Sequence, residues 1–430
     1  RGGNPPFRAG LRVMSVDIET DVKSGAIRAV GLAWTDSLAG GGADGAAGRA
    51  ALNVAAAAER ENAGNRAASG MESFVRVLSP PAPSGGSLCV ISDGAGQTDV
   101  EPSAASGAPR LFFHGSEKSL LASFINDLLR IDPDVLTGWN FLDFDFPRLA
   151  ERCEYFRLPF EIGRSLEPAK FFPRRENPGG GWWGRGSAAA LVPGRQVLDA
   201  LRIVRAGTWG GAGNLRSSWS DDVSTGFTLD AVAQTVLGEG KLVGSFGPEK
   251  IAELDRLYAG NRTLFGDYCR RDAELVLRIL AKTGLFRLTL ERASLTGVSL
   301  DKAWTSVASF ERIYGIELRR KGLAPPPFVK REVSGAAGGT ILEPEPGLFS
   351  NVAVFDFRSL YPTIMRTFNI DPLSHARASP PDPSGNIVAP NGAVFSRNPG
   401  LLPALIAAYF TARRAALDAG DSVAAQVDQI

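Results

Sequence analysis

The sequence predicts an α/β protein of at least two domains, and three observations carry that expectation. Short runs with apolar residues at every second position take turns with longer runs whose apolar residues recur at helical spacing. The 430 residues exceed what one hydrophobic core normally organises. An apolar content of 44% with 22% charged residues is that of an ordinary globular protein. The net charge of +1 gives no global sign of a nucleic-acid partner, so any such contact must come from local basic patches.

The first strand is LRVMSVDIET (Leu11–Thr20), with Met14, Val16 and Ile18 on one face and Val13, Ser15, Asp17 and Glu19 on the other. A second, AIRAVGLAW (Ala26–Trp34), follows a polar turn. Residues 37–109 are then mostly Gly, Ala, Ser and Pro and read as a poorly ordered insertion in a sheet connection. Strands are possible within it at MESFVRVL and LCVIS. Leu120, Leu121, Phe124, Ile125, Leu128 and Leu129 form a helical stripe that Ser116 is placed to cap. The strand-like DVLTGWN leads to a helix from Asp145, with Pro147 tolerated in its first turn. Trp182 and Trp183, in a glycine-rich loop (Asn177–Gly186) beside Arg174, Arg175 and Arg185, either stack on unpaired bases or pack back on the domain. Thr228–Leu290 looks mainly helical, and a further helix, Leu300–Lys321, ends before the connecting LAPPPF. The last region opens on a strand, NVAVFDF (Asn351–Phe357), and nearly closes on the helical LPALIAAYFTARRAAL.

Chemistry in this chain falls to carboxylates. His114 and His375 are the only histidines, and Cys89, Cys153 and Cys269 have no metal-ligand spacing, which reads as small buried thiols of a reducing compartment. Asp17 and Glu19 share a strand face and can grip hard cations from one side; a solvated strand end is the alternative. Asp145 stands where a strand gives way to a helix, which suits a cap as well as a ligand. Asp272 shares a helix face with Phe265, Tyr268, Leu275 and Ile279, where the period asks for an apolar residue. A carboxylate buried there needs a metal or an ion-pair partner. Tyr268, one turn earlier, has a hydroxyl able to orient a water. These parts suggest two-metal phosphodiester hydrolysis, which needs no nucleophilic side chain. Asp356, at the end of NVAVFDF and before the turn SLYP that holds Tyr361, is a fifth acid and weaker evidence taken alone.

The ordered set of motifs resembles family B DNA polymerases, and LDAVAQTVLGEGK and VLTGWN resemble the bacterial branch of that family. DIET (Asp17–Thr20), GWNFLDFDFPRL (Gly138–Leu149) and YCRRD (Tyr268–Asp272) are similar to its three exonuclease motifs. DFRSLYPTIM (Asp356–Met365) is similar to its first polymerase motif, and Gly338 and Gly339 look like the glycine pair between exonuclease and palm, near DNA. The resemblance implies a ribonuclease H-like 3′→5′ exonuclease domain at 1–290 and a helical connection at 291–350. The beginning of a palm at 351–395 and a helical fingers fragment at 396–430 would follow. Asp17, Glu19, Asp145 and Asp272 would hold two Mg²⁺ ions (or Mn²⁺ in their place), Tyr268 would position the attacking water, and Asn140 would sit near the primer end. Asp356 would be one of two polymerase metal ligands, with Ser359 and Leu360 beside the triphosphate and Tyr361 against the sugar. DNA and deoxynucleoside triphosphates are the implied partners; a sliding clamp is allowed but not visible. No segment resembles a signal peptide or a membrane span, so a bacterial chain of this kind is expected in the cytoplasm with the nucleoid.

The departures are also informative. The first residue is not Met, and the second palm acid belongs to a motif beyond Ile430, so the chain reads as a fragment that does not extend a primer by itself. Arg413 matches the family's triphosphate-binding Arg, but Leu417 and Gln429 stand where lysines are expected, which predicts weak nucleotide binding in a complete chain. Three readings follow: a proofreading polymerase seen in part, an exonuclease with a degenerate polymerase half, or a non-catalytic DNA-binding remnant. The intact exonuclease acids weigh against the last.

Overall fold

The computed structural model describes residues 10–36, 38, 71–79, 110–173, 188–209, 227–240, 248–325, 342–355, 357, 359–378 and 385–420. Period-two text becomes a sheet around its most apolar strand. β1 (Val13–Thr20) pairs antiparallel with β2 (Ile27–Thr35), across a turn in which the Asp21 carboxylate accepts the amides of Lys23 and Ser24 at 2.9 and 2.7 Å. β3 (Glu72–Leu78) lies antiparallel to β2, and β4 (Arg110–His114) lies parallel to β3. On the other side of β1, the short β5 (Val135–Thr137) and β8 (Gln196–Val197) run parallel to it, giving the mixed order β4-β3-β2-β1-β5-β8. A separate hairpin pairs β6 (Lys170–Phe172) with β7 (Ala189–Leu191).

Both faces of this sheet are covered. One face buries Met14, Val16 and Ile18 in a core with Leu120, Leu121, Phe124 and Leu128 of α1 (Glu117–Ile131) and Phe146 and Leu149 of α2 (Asp145–Tyr155). Each such side chain contributes about 1.5–3 kcal/mol relative to exposure. Ser116 caps α1 by accepting the Ser119 amide, as expected, while Leu129 proves exposed because the stripe facing the sheet is narrower than the apolar run. The opposite face takes α6 (Arg262–Thr283), whose Phe265 and Cys269 pack with Ala29, Val75 and Val77. Asn261 caps this helix through the Leu264 amide, and Gly284, at φ +68°, ends it. α3 (Ala200–Trp209), α4 (Leu229–Leu237), α5 (Pro248–Gly260) and α7 (Leu285–Thr296) complete the unit.

The chain divides into two compact units, Arg1–Thr305 and Ser306–Ile430. The single helix expected over Leu300–Lys321 is two elements: a 3-10 turn at Leu300–Lys302, and α8 (Ser306–Arg320) in the second unit. The break arises because Ala303 and Trp304 turn back onto α7. The Arg292 Nε donates to the Ala303 carbonyl at 3.2 Å, and the Trp304 Nε1 donates to Thr289 Oγ1 at 2.9 Å.

The second unit holds α8, α9 (Leu360–Thr367), α10 (Pro372–Arg377), a hairpin of β9 (Asn386–Val388) and β10 (Val394–Ser396), and α11 (Leu401–Asp418). Its core is small: Tyr314, Leu318 and Leu401. Buried Asp371 ties it together by accepting from the Tyr314 hydroxyl (3.0 Å) and the amides of Ser374 (2.9 Å) and Leu402 (2.8 Å). The strand expected over Asn351–Phe357 does not form at 351–355 and 357, where Val354 and Phe355 are 89% and 93% exposed. A strand needs a neighbouring backbone to complete its ladder, and the described residues supply none there. Within the 37–109 insertion, MESFVRVL does form a strand, β3, burying Phe74, Val75 and Val77, although the composition around it argues against order. LCVIS, the tryptophan loop, Cys89, Gly338, Gly339, Asp356 and Gln429 lie outside the described residues.

Candidate active site

β1 delivers Asp17 and Glu19 to the face covered by α6, and the ladder register shifts between Glu19 and Thr20, ending the regular pairing there. α6 delivers Asp272 to the same place. One carboxylate oxygen from each of Asp17, Glu19 and Asp272 lies within 4.8 Å of the others. Asp17 and Glu19 are half-buried and Asp272 is buried. The expectation that Phe265, Tyr268, Asp272, Leu275 and Ile279 share a buried helix face holds for all five.

Tyr268 stands one turn before Asp272 and hydrogen-bonds its carboxylate. Burial, then the charges of Asp272, Glu19 and Asp17, raise the phenol's pKa, so its O–H remains a donor. Beside it, the Cys269 thiol donates to the Asp17 carbonyl at 3.4 Å, and burial pushes its pKa up too. The Lys250 Nζ lies 5.6 Å from the centroid of the Tyr268 ring.

Asp145 is outside the close trio but adjoins it. It opens α2, it is buried, and its Oδ1 accepts the amide of Ile18, the residue between Asp17 and Glu19, at 3.3 Å. Burial holds its carboxyl well above the usual carboxylate range, and the charges of Asp199 and Glu19 push the same way. Asn140, in the loop leading to Asp145, takes a left-handed backbone at φ +63° and offers its carbonyl to the amides of Asp143 (3.2 Å) and Phe144 (3.0 Å).

Two residues that bear on this site are silent in the sequence. Asp199, in VLDALRIV, is buried, and its charge adds to the upward push on the Asp145 carboxyl. Gly31, opposite Asp17 in the ladder, has the Cys269 carbonyl so close that a Cβ there would lie 2.5 Å from its oxygen. A glycine inside a strand is the one signal that flags such an approach.

In the second unit, Ser359 has a left-handed backbone (φ +53°), Leu360 begins α9, and Tyr361 is exposed. On α11, Arg414 lines a cavity with Arg366, Phe410, Thr411 and Asp418, whereas Arg413 and Leu417 do not.

Sequence comparisons bear on the family. Residues 88–208 match the exonuclease domain of DNA polymerase family B, a segment that contains Asn140, Asp145 and Asp199, and residues 311–419 match DNA polymerase family B. The chain belongs to the family B DNA polymerases. It is 30% identical to DNA polymerase II of Escherichia coli (strain K12) over 349 residues, which is 80% of this chain and 42% of that protein. It is 26% identical to the DNA polymerase delta catalytic subunit of Dictyostelium discoideum, covering 71% of this chain and 27% of the relative. Against the DNA polymerase of Thermococcus sp. (strain 9oN-7), identity is 29%, over 68% of this chain and 35% of the relative. The chain thus spans less than half the length of each of these relatives. Among the described residues, no helix is long and apolar enough to cross a membrane.

Proposed function

We propose that the first unit is a ribonuclease H-like 3′→5′ proofreading exonuclease, and that the second begins the palm and fingers of a DNA-directed DNA polymerase acting in replication or repair. The observation that carries the exonuclease reading is the meeting of Asp17 and Glu19 with Asp272, from two elements far apart in sequence, within 4.8 Å. Carboxylates so close repel one another unless cations lie between them, and a set made only of oxygen donors suits hard divalent ions. Asp17, Glu19, Asp145 and Asp272 would hold two Mg²⁺ ions, or Mn²⁺ in their place. Bound there, such ions would supply the charge that activates water and stabilises the leaving 3′ oxygen of a DNA strand. Tyr268, its hydroxyl fixed on Asp272, orients that water, and Asn140 contacts the primer end. In the polymerase half, Asp356 is a metal ligand, Ser359, Leu360 and Arg413 face the deoxynucleoside triphosphate, and Tyr361 guards the sugar. Gly338 and Gly339 follow the DNA between the two sites. In a bacterial cell such a chain would work on DNA in the cytoplasm, at the nucleoid.

The direct test is a 5′-labelled single strand incubated with the purified chain and Mg²⁺ or Mn²⁺. It should shorten from its 3′ end, and Asp17→Ala with Glu19→Ala should slow this by at least about 10²–10³-fold. A double variant as fast as the parent rules the assignment out.

A further inference from the structure

We propose that Asp199, together with Arg202, positions the loop of residues 138–144, which delivers Asn140 and Asp145 to the acidic cluster. The proposal rests on the exonuclease reading and extends it to two residues that touch neither metal nor substrate.

A helix cap needs one side-chain oxygen, and Asp199 uses Oδ1 for this, accepting the Arg202 amide at 3.2 Å. Its second oxygen goes elsewhere: Oδ2 accepts the amide of Leu142, far back in the chain, at 3.0 Å. Arg202 grips the same loop one residue on, donating from Nη2 to Asp143 Oδ2 at 2.9 Å, while its Nη1 is anchored on the Ala188 carbonyl at 2.6 Å. The Ala200 amide adds a bond to the Gly138 carbonyl at 3.0 Å. The start of α3 therefore holds the loop at three places, Gly138, Leu142 and Asp143.

The loop needs holding. Asn140 sits in the left-handed region, which asparagine enters more readily than most residues but still at some cost. α2 has no side-chain cap at Phe144, and its entry to Asp145 is held locally by backbone bonds to the Asn140 and Phe141 carbonyls. A carboxylate as buried as Asp199 is costly to desolvate, more than a surface cap would warrant.

Asp199→Asn separates the two duties. Asn caps a helix as well as Asp does, so the helicity of α3 should be preserved. With its oxygen on the Arg202 amide, its NH₂ faces the Leu142 N–H, donor against donor, and the tie to the loop is lost. Hydrogen exchange at the Leu142 amide should accelerate at least about tenfold, and the Mn²⁺ dissociation constant of the protein should rise about ten- to hundredfold, with a matching fall in exonuclease kcat. Arg202→Ala should weaken Mn²⁺ binding as well, and the double variant should lose less than the sum of the two, as members of one clamp do. Asp127→Asn, at an acid equally buried but paired with Arg76 and Arg130, should leave Mn²⁺ affinity and Leu142 exchange unchanged. Unchanged Leu142 exchange or unchanged Mn²⁺ affinity in Asp199→Asn overturns the proposal. A parent protein that binds Mn²⁺ but leaves DNA intact counts against the exonuclease reading alone, because the clamp is read from exchange and metal affinity.

Discussion

Tyr268 shows how one side chain is committed by its surroundings. It is 1% exposed, its ring packs inside the core, and only its hydroxyl reaches the acids, bonded to Asp272. Its raised pKa keeps the proton in place across the working range, so the group donates and does not act as a base. Tyr268→Phe preserves the packing and removes one hydrogen bond to a charged group, a loss of about 1.5–3 kcal/mol. If that bond orients the attacking water, the exonuclease rate should fall about ten- to hundredfold in single-turnover assays, with DNA affinity little changed. A Tyr268→Phe rate equal to the parent's would remove the hydroxyl from the mechanism. Asp272 itself was readable from the sequence because a charge at an apolar helical position violates the pattern, and patterns are local. Asp199 was not readable: its meaning lies in an amide contributed by Leu142, and capping explains a lone Asp before a helix well enough.

At the level of elements, the site depends on how near α6 comes to β1. Gly31 sets that separation, because a Cβ would meet the Cys269 carbonyl carbon at 2.8 Å and the Arg270 Cα at 3.0 Å, both backbone atoms that cannot rotate away. Gly31→Ala should push the helix off the sheet, separate Asp272 from Asp17, and raise the Mn²⁺ dissociation constant by an order of magnitude or more. Gly266→Ala is the matched control on the same helix. Its new methyl would meet the side chains of Leu111 and Val77, which can yield, and it lies away from the acids. Should both variants lose Mn²⁺ affinity in step with stability, Gly31 is only a packing glycine. The elements themselves were largely legible: β1, β2, α1 with its Ser116 cap, and α6 each carry a period their neighbours reinforce. Asn351–Phe357 carries an equally good period and forms no strand at the described positions, since alternation is necessary for a strand but its partners decide. Leu300–Lys321 misled for a related reason, as Trp304 finds Thr289 across a turn that no helical count reveals.

Across the whole molecule, the two compact units differ in what holds them. The first has a sheet buried on both faces, with extended apolar clusters on each. The second relies on a cluster of Tyr314, Leu318 and Leu401 and on the polar bonds gathered by Asp371 and Asn369, whose Nδ2 reaches the Ser396 and Asn398 carbonyls at 2.6 and 2.8 Å. Units with separate cores unfold as separate steps unless a large apolar interface couples them. Calorimetry of the chain should therefore resolve two transitions, the lower one belonging to the second unit. Asp371→Ala identifies it, since the substitution strips a buried acceptor from the Tyr314 hydroxyl and from the Ser374 and Leu402 amides. Leaving those donors unsatisfied costs about 1–3 kcal/mol each, and a unit of this size loses about 4–8 °C per kcal/mol. The lower transition should fall by more than about 10 °C, while the upper transition and the 3′→5′ exonuclease rate stay where they were. A single transition that moves as a whole, taking the exonuclease activity with it, would mean that the two units stand or fall together.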